Sequence, residues 1–324
     1  MADLNPCASC VSQAAYTKIL LGTDLADWTD TGGFSTRMRI LGENIRKFVR
    51  VRPSQEITGD LWVLADRLVD GQSVVWGTIF FAMNPAEMEV LLPYLVGPKD
   101  GGTGYFEPDL CRDDFHLLIQ RDHGVFRIKY AQFVRFRIES RALQFMENSN
   151  ADQVILAADV MAQDEDLDAV AWPTGDPPAM GTGATYAPYY FKHCTIDIQN
   201  TSRIIERIKL AVDHRQTPRY RNSTTPVAIC SRGRSVQLGV RADWNSTNDD
   251  MYAQASADDG YVQFADSTGS LFTKFMFGKL KEVPTSPYSP AKDSDVIWDL
   301  SHIGAADDPS AGTYDIYVEN DLTP

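Results

Sequence analysis

The sequence predicts a mainly β chain: two tandem β-sandwich or barrel domains, each with one short flanking helix, behind an extended N-terminal arm. Three observations predict it. The phrase GQSVVWG at 71–77 returns as GRSVQLG at 233–239, in a chain of 324 residues. A Pro- and Gly-dense stretch, WPTGDPPAMGTGATYAP at 172–188, lies near the midpoint and has neither strand nor helix periodicity, which marks a linker. After the repeated phrase, each half runs through the same order of strand, short helix, hairpin, strand and acidic loop.

Taken in order, residues 1–43 are mixed and polar, with Asp24, Asp27 and Asp30 around Trp28, and read as the arm. The first copy spans 44–171, the linker 172–188 and the second copy 189–324. In the first copy SVVWGTIFFAMN reads as a strand and PAEMEVLLPYLVG as a helix. Asn84 is placed as N-cap, Pro85 at the first helical position and Glu87 as the return half of a capping box. Met88, Leu91, Leu92 and Leu95 follow helical spacing, and Pro93 should kink or end the helix. In the second copy SVQLGVRADWN is the strand, and Ser246, Thr247 or Asn248 would cap a second helix. Hairpins follow at 114–141 and 261–283, turning at Gly124 and Gly269. Each copy closes on a Val-Ile strand and an acidic loop, QVILAADVMAQDED (153–166) and DVIWDLSHIGAADD (295–308). Identity between the copies is sparse: without gaps, Lys47/Lys209, Gly71/Gly233, Ser73/Ser235, Val74/Val236 and Gly77/Gly239 coincide. The order of elements therefore carries the argument for duplication.

Composition narrows the function. Asp and Glu number 44 against 30 Lys and Arg, a formal −14, which argues against a broad nucleic-acid grip, since that requires clustered cations. The N-terminus lacks the basic and apolar regions of a secretory signal, and the longest apolar run, VVWGTIFFAM, is about half of a membrane span. Five cysteines without disulfide-like spacing point to a reducing compartment.

Candidate chemistry is thin. Cys7 and Cys10 form a CxxC without a second pair to complete a zinc site. His116 and His123 fall on opposite faces of a strand, and so do His193 and Cys194. No nucleophile elbow, P-loop, dinucleotide fingerprint or HExxH is present, and the carboxylates of DEDLD (164–168) read as solvated loop residues. The expectation is a non-enzyme without cofactor or metal. One stretch stands out, VFRIKYAQFVRFRIES (125–140). Phe126, Ile128, Tyr130, Val134, Phe136 and Ile138 alternate with Arg127, Lys129, Arg135 and Arg137, interrupted by Ala131 and Phe133. The four cations are expected to meet acidic loops of an adjacent domain or chain, Asp164 to Asp168 or Asp307 and Asp308.

The G-x-S-V-x-x-G strand leading into a short helix resembles the major tail tube proteins of tailed phages (siphophages), in the long form with two copies of the tube fold. So do the order GTIFFAMNPAEMEVLLPYLVG…FHLLIQRDHGVFRIKYAQFVRFRIES and the opening YYFKHCTIDIQNTSRIIERIKLAVDH. The resemblance covers roughly residues 44–320. It implies sheets that join side by side into rings, and rings stacked into a hollow tube around the tape measure protein. Three duplicated subunits would supply six tube-fold units per ring, tail-end proteins would cap the tube, and DNA would pass through the lumen without specific binding. The rival classes are a tail hub, a capsid-associated protein or a carbohydrate-binding or adhesion module. A sugar binder should cluster its aromatics, whereas Trp28, Trp62, Trp76, Trp172, Trp244 and Trp298 are spread along the chain.

Overall fold

The computed structural model describes residues 18–22, 36–53, 68–109, 112–121, 124–142, 152–167, 172, 185, 187–198, 201–243, 258–283, 297–305 and 314–322. Over these residues the chain is mainly β. Its strands are β1 (Lys18–Gly22), β2 (Thr36–Met38), β3 (Ile40–Glu43), β4 (Arg46–Pro53), β5 (Leu68–Ala82), β6 (Phe115–Arg121), β7 (Gly124–Arg141) and β8 (Ile155–Leu167). They continue as β9 (Cys194–Ile198), β10 (Thr201–Ser202), β11 (Arg207–Asp213), β12 (Thr217–Arg219), β13 (Ala228–Cys230), β14 (Ser235–Asp243), β15 (Asp258–Ala265), β16 (Phe272–Val283), β17 (Ile297–Ala305) and β18 (Tyr317–Asp321). One α-helix, α1 (Pro85–Leu95), follows β5. Sixteen of the strands form one sheet network, and β12 and β13 pair separately.

The local rules hold where the sequence states them. Asn84 Oδ1 accepts from the Glu87 amide at 2.9 Å and Asn84 Nδ2 donates to Glu87 Oε2 at 2.7 Å, a reciprocal capping box. Met88, Leu91, Leu92 and Leu95 are buried, and Pro93 sits in the last turn before the helix stops at Leu95. The two expected hairpins form as β6–β7 and β15–β16, and Gly269 turns the second at φ 77°. The expected second helix, over 246–260, lies outside the described residues up to 257, and its last three positions, Asp258 to Gly260, belong to strand β15.

The strand order repeats. In the first half the hydrogen-bonded order is β2-β1-β6-β7-β8-β5-β4, and in the second it is β10-β9-β15-β16-β17-β14-β11. Seven strands in each half thus follow the same path, every pair antiparallel. The repeated phrase itself does not superpose. Val74 leans on a small cluster with Val134, Met161 and Ile229, whereas Val236 is in the main core. Because side chains alternate with period two, aligning these valines would turn one strand inside out. Gly71 and Gly233 also serve different needs: a side chain at 71 would strike the Arg50 carbonyl, whereas Gly233 has open space and a φ of 133°.

The halves join through β7. Along one edge its first part pairs with β6 and its second part, Arg135–Arg141, pairs with β11. Its other edge runs along β8 throughout. Ile79, Ala158, Phe136, Val212 and Val236 consequently lie side by side across β5, β8, β7, β11 and β14, each no more than 1 % exposed. Phe81, Leu156, Ile138, Leu210 and Leu238 form the next row, so the core face crosses the junction without a break. The halves are further tied by α1, where Asn320 Nδ2 donates to the Pro85 carbonyl at 3.1 Å and to Glu89 at 2.8 Å.

Two expectations are corrected here. Part of the expected arm is built into the sheet: β1 pairs with β6 over five residues, and Ile19, Leu20 and Leu21 are buried. In the strand order β1 and β2 hold the places that β9 and β10 hold in the second half. The segment 153–166, expected to end as an acidic loop, is strand β8 through Leu167. A strand tolerates its carboxylates because cations stand opposite them on β7.

Candidate functional site

Strand β7 combines the expected cationic stripe with the join between the halves. Its alternation is broken twice. Tyr130, at φ 51°, is a bulge opposite β6, and its amide donates to Nδ1 of the buried His116 at 3.1 Å. A second irregularity falls between Phe133 and Arg135. Each bulge reverses which side chains face inward. Ile128, Ala131, Phe133, Phe136 and Ile138 therefore all reach the main core, while Tyr130 is exposed and Val134 joins the small cluster on the opposite face. Simple alternation, which put Ala131 and Phe133 on the cationic face, fails because two extra residues shift the register and then restore it.

The four cations meet carboxylates of the neighbouring strand in the same chain. Arg127 lies opposite Asp166 and reaches it at 2.6 Å; Lys129 lies opposite Asp164 and reaches Asp166 at 2.7 Å and Asp164 at 3.6 Å. Lys47 of β4 binds Asp164 from the other side at 2.8 Å. Partial burial works against ionising Asp164 and Asp166, yet hydrogen bonds and positive charge hold both below the usual carboxylate range, from Lys47 and Lys129 on Asp164 and from Lys129 and Arg127 on Asp166. Nearby, Arg121 grips Glu43 with two parallel bonds at 2.9 Å each and covers the Phe126 ring at 4.5 Å.

Further along β7, Asp159 of β8 is 1 % exposed and takes Arg135 at 2.6 Å, Arg137 at 3.3 Å and the Thr78 hydroxyl at 2.7 Å. Asp159 was not among the expected site residues. Its signal was present as one carboxylate inside the apolar run VILAADVMA, which needs a partner to be buried. The junction adds a second polar cluster. Arg112 donates to the carbonyls of Tyr94 and Leu95 at the end of α1, at 2.8 and 3.3 Å, and His214 of the second half lies 2.8 Å from the Leu95 carbonyl. Burial, reinforced by Arg234, lowers Arg112 to about 9. Burial and the charges of Arg112 and Arg234 keep His214 well below the ordinary imidazole range, hence neutral. The Arg112 cation closes the negative end of the helix, and the neutral His214 ring ties the second half to it.

The hairpin β12–β13 lies over the back of the first half. The Ser73 amide donates to the Thr224 carbonyl at 2.7 Å and the Tyr220 hydroxyl to the Ser73 carbonyl at 2.9 Å. Ile229 packs there against Val74, Val134 and Met161. These contacts of Ser73 and Val74 with Tyr220, Thr224 and Ile229 join one half of the chain to the other.

Of the expected residues, then, Arg127, Lys129, Arg135, Arg137 and Asp164 come together on two adjacent strands. Asp168, Asp307 and Asp308 lie outside the described residues, as do Cys7, Cys10 and His123. Among the described residues no group of three or more His, Cys, Asp or Glu side chains is arranged to hold a metal. Cys194 is a free thiol pushed up to about 12 by burial, which leaves it unreactive. No helix among the described residues is long and apolar enough to cross a membrane. The arrangement can bind strands to strands and neutralise charge within the sheet. Neither a protein-family model nor a curated protein matches this chain.

Proposed function

We propose that the chain is a structural, self-associating protein of the tail tube type, in which each repeat of the strand order is one tube-fold unit. In this reading the units join edge to edge into closed rings, the rings stack into a hollow tube in the virion tail, and the tube surrounds a tape measure protein before carrying DNA. Three copies of the chain supply the six units of a ring, and the protein performs no catalysis.

The observation that supports this reading most is the join of β7 to β11. Two units with the same strand order are fused there side by side into one sheet, with an unbroken apolar face. A chain that already unites two units in this way holds one junction of such a ring within itself, at high effective concentration. The neutralised cationic stripe agrees with a conduit, because phosphates are held by unpaired cations. Negative-stain electron microscopy of the concentrated protein tests the proposal: rings or tubes with a central hole are expected, and a dispersed monomer at every concentration overturns it.

A further inference from the structure

We infer that the arginine-rich hairpin β12–β13 of one copy of this chain docks on an acidic, tyrosine-lined loop, residues 97–109, of a second copy. The inference rests on the self-association reading above and names the two surfaces that carry it.

The hairpin is the exception in an acidic chain. Residues 214–234 contain five arginines and no Asp or Glu, against a net charge of −14 for the whole. Arg234 pairs with Asp315. The other four, Arg215, Arg219, Arg221 and Arg232, are exposed, and among the described residues their guanidiniums have neither hydrogen bond nor ion pair. The adjoining carboxylate is engaged elsewhere, since Asp213 accepts the Arg215 amide at 2.7 Å. Arg215 and Arg232 also line a cleft of about 490 Å³ whose wall includes Trp76, 36 % exposed. Guanidiniums are weakly hydrated, fork onto carboxylates and stack on aromatic rings, so this surface fits an acidic partner that carries aromatic side chains.

The loop 97–109 has that chemistry. Asp100, Glu107 and Asp109 are part-exposed, and the one cation of the loop, Lys99, is already bound to Glu89 at 2.9 Å. Tyr105 packs on Tyr317 with ring centroids 5.6 Å apart, and the Tyr314 hydroxyl donates to Glu107. The ring hydroxyls register the negative charge: Glu107 and Asp100 push Tyr314 above its ordinary range, and burial, with Tyr105 and Asp259, raises Tyr317. Tyrosine, tryptophan and arginine are the side chains that most often anchor protein interfaces. The loop's Phe106 belongs to the main core, whereas the hairpin's Ile229 packs in the small cluster on the other face of the sheet. One chain thus presents the two surfaces on opposite sides, and the contact is head-to-tail, so it must either close into a ring or continue. Docking also withholds the four guanidiniums from phosphates, as a conduit for DNA requires.

The test reverses each surface in the full-length protein. One variant carries Arg219→Glu and Arg221→Glu, the other Asp100→Lys and Glu107→Lys, and association is followed by sedimentation velocity. We expect each variant to keep the circular dichroism spectrum of wild type and to need at least about tenfold more protein to associate. Mixed in equal amounts the two should recover, because the reversed hairpin of one then meets the reversed loop of the other. Folded variants that associate as wild type does, or a mixture that stays apart, overturn the pairing but leave self-association standing. A wild type that never associates overturns both. Should a variant misfold, wild type decides alone: its association should weaken at least about tenfold from low to high salt, and insensitivity to salt overturns the pairing. Binding of a single-stranded oligonucleotide by wild type, lost in the hairpin variant, would assign the arginines to phosphates and overturn it as well.

Discussion

Phe136 and Val212 face each other across adjoining strands, 76 positions apart in sequence, and both are fully buried. One belongs to each repeat of the strand order. This pair makes the repeats one sheet with a shared core, and it ties their stabilities together.

Replacing Phe136 with Ala should accordingly weaken the whole molecule and not its first half alone. A buried Phe→Ala change costs about 3–5 kcal/mol, through lost burial and the cavity left behind. Urea unfolding followed by tryptophan fluorescence and by far-ultraviolet circular dichroism should give one coincident transition, shifted to lower urea. Two separated transitions would show that the halves unfold independently.

The Asp159 cluster changes what a charge reversal does. Arg135 and Arg137 are part-exposed, and surface charges alone contribute little to folding. Their partner, however, is almost fully buried. Reversing both to Glu should strand the Asp159 carboxylate among like charges and destabilise the subunit by about 2 kcal/mol or more. Adding Asp159→Asn should recover part of the loss. Thermal melts of the double and triple variants check the order, and an unaffected double variant would show that the pairs hold little energy.

How much of this was legible in the sequence differs from element to element. The helix and its cap could be read because Asn84, Pro85 and Glu87 are local signals that act within one turn. The hairpins could be read because turn and alternation are neighbours in sequence. The bulge at Tyr130 could not, because what holds its amide is His116, fourteen residues away on another strand. Strand β1 was read as arm because KILLG is too short for its periodicity to show, and its partner β6 is about a hundred residues distant. The repeated phrase pointed to halves whose strand order recurs, but by way of an alignment that the side-chain faces reject. As for the site, the cations of β7 were visible, but Asp159 was hidden in an apolar run, and the carboxylates assigned to loops are fixed by cross-strand pairing.

Glu87 gives the fold a pH dependence with a definite sign. Burial, opposed by donors at Arg39 and Asn84, raises its carboxyl from 4.5 to about 7. A carboxyl that is raised in the folded state binds more protons than the unfolded chain between those values, so its contribution is fully present below about 4.5 and is lost as pH rises through about 7. The span corresponds to at most about 3 kcal/mol. Glu87→Gln removes the titration and should flatten the stability profile across that window, at the cost of one mismatched hydrogen bond with the Arg39 amide or Asn84. Carboxyl titration by NMR, with a midpoint for Glu87 near 4.5, would contradict the shift.

Truncations separate the residues before β1 from β1 itself. Deleting 1–17 leaves the five-residue pairing of β1 with β6 intact, so the folded subunit should melt within a few degrees of wild type. Deleting 1–35 removes Ile19, Leu20 and Leu21 from the core. It also uncovers the edge of β6, whose residues Phe115 to Ile119 are buried on both faces. Burying one large aliphatic side chain stabilises by about 1.5–3 kcal/mol, so losing three should cost more than most single-site changes. The exposed β6 edge, FHLLI, is apolar and unprotected, and should drive aggregation instead of simple loss of assembly. Light scattering and melting of the two truncated chains decide the point. If the longer deletion stays monomeric and melts like wild type, β1 is an appendage.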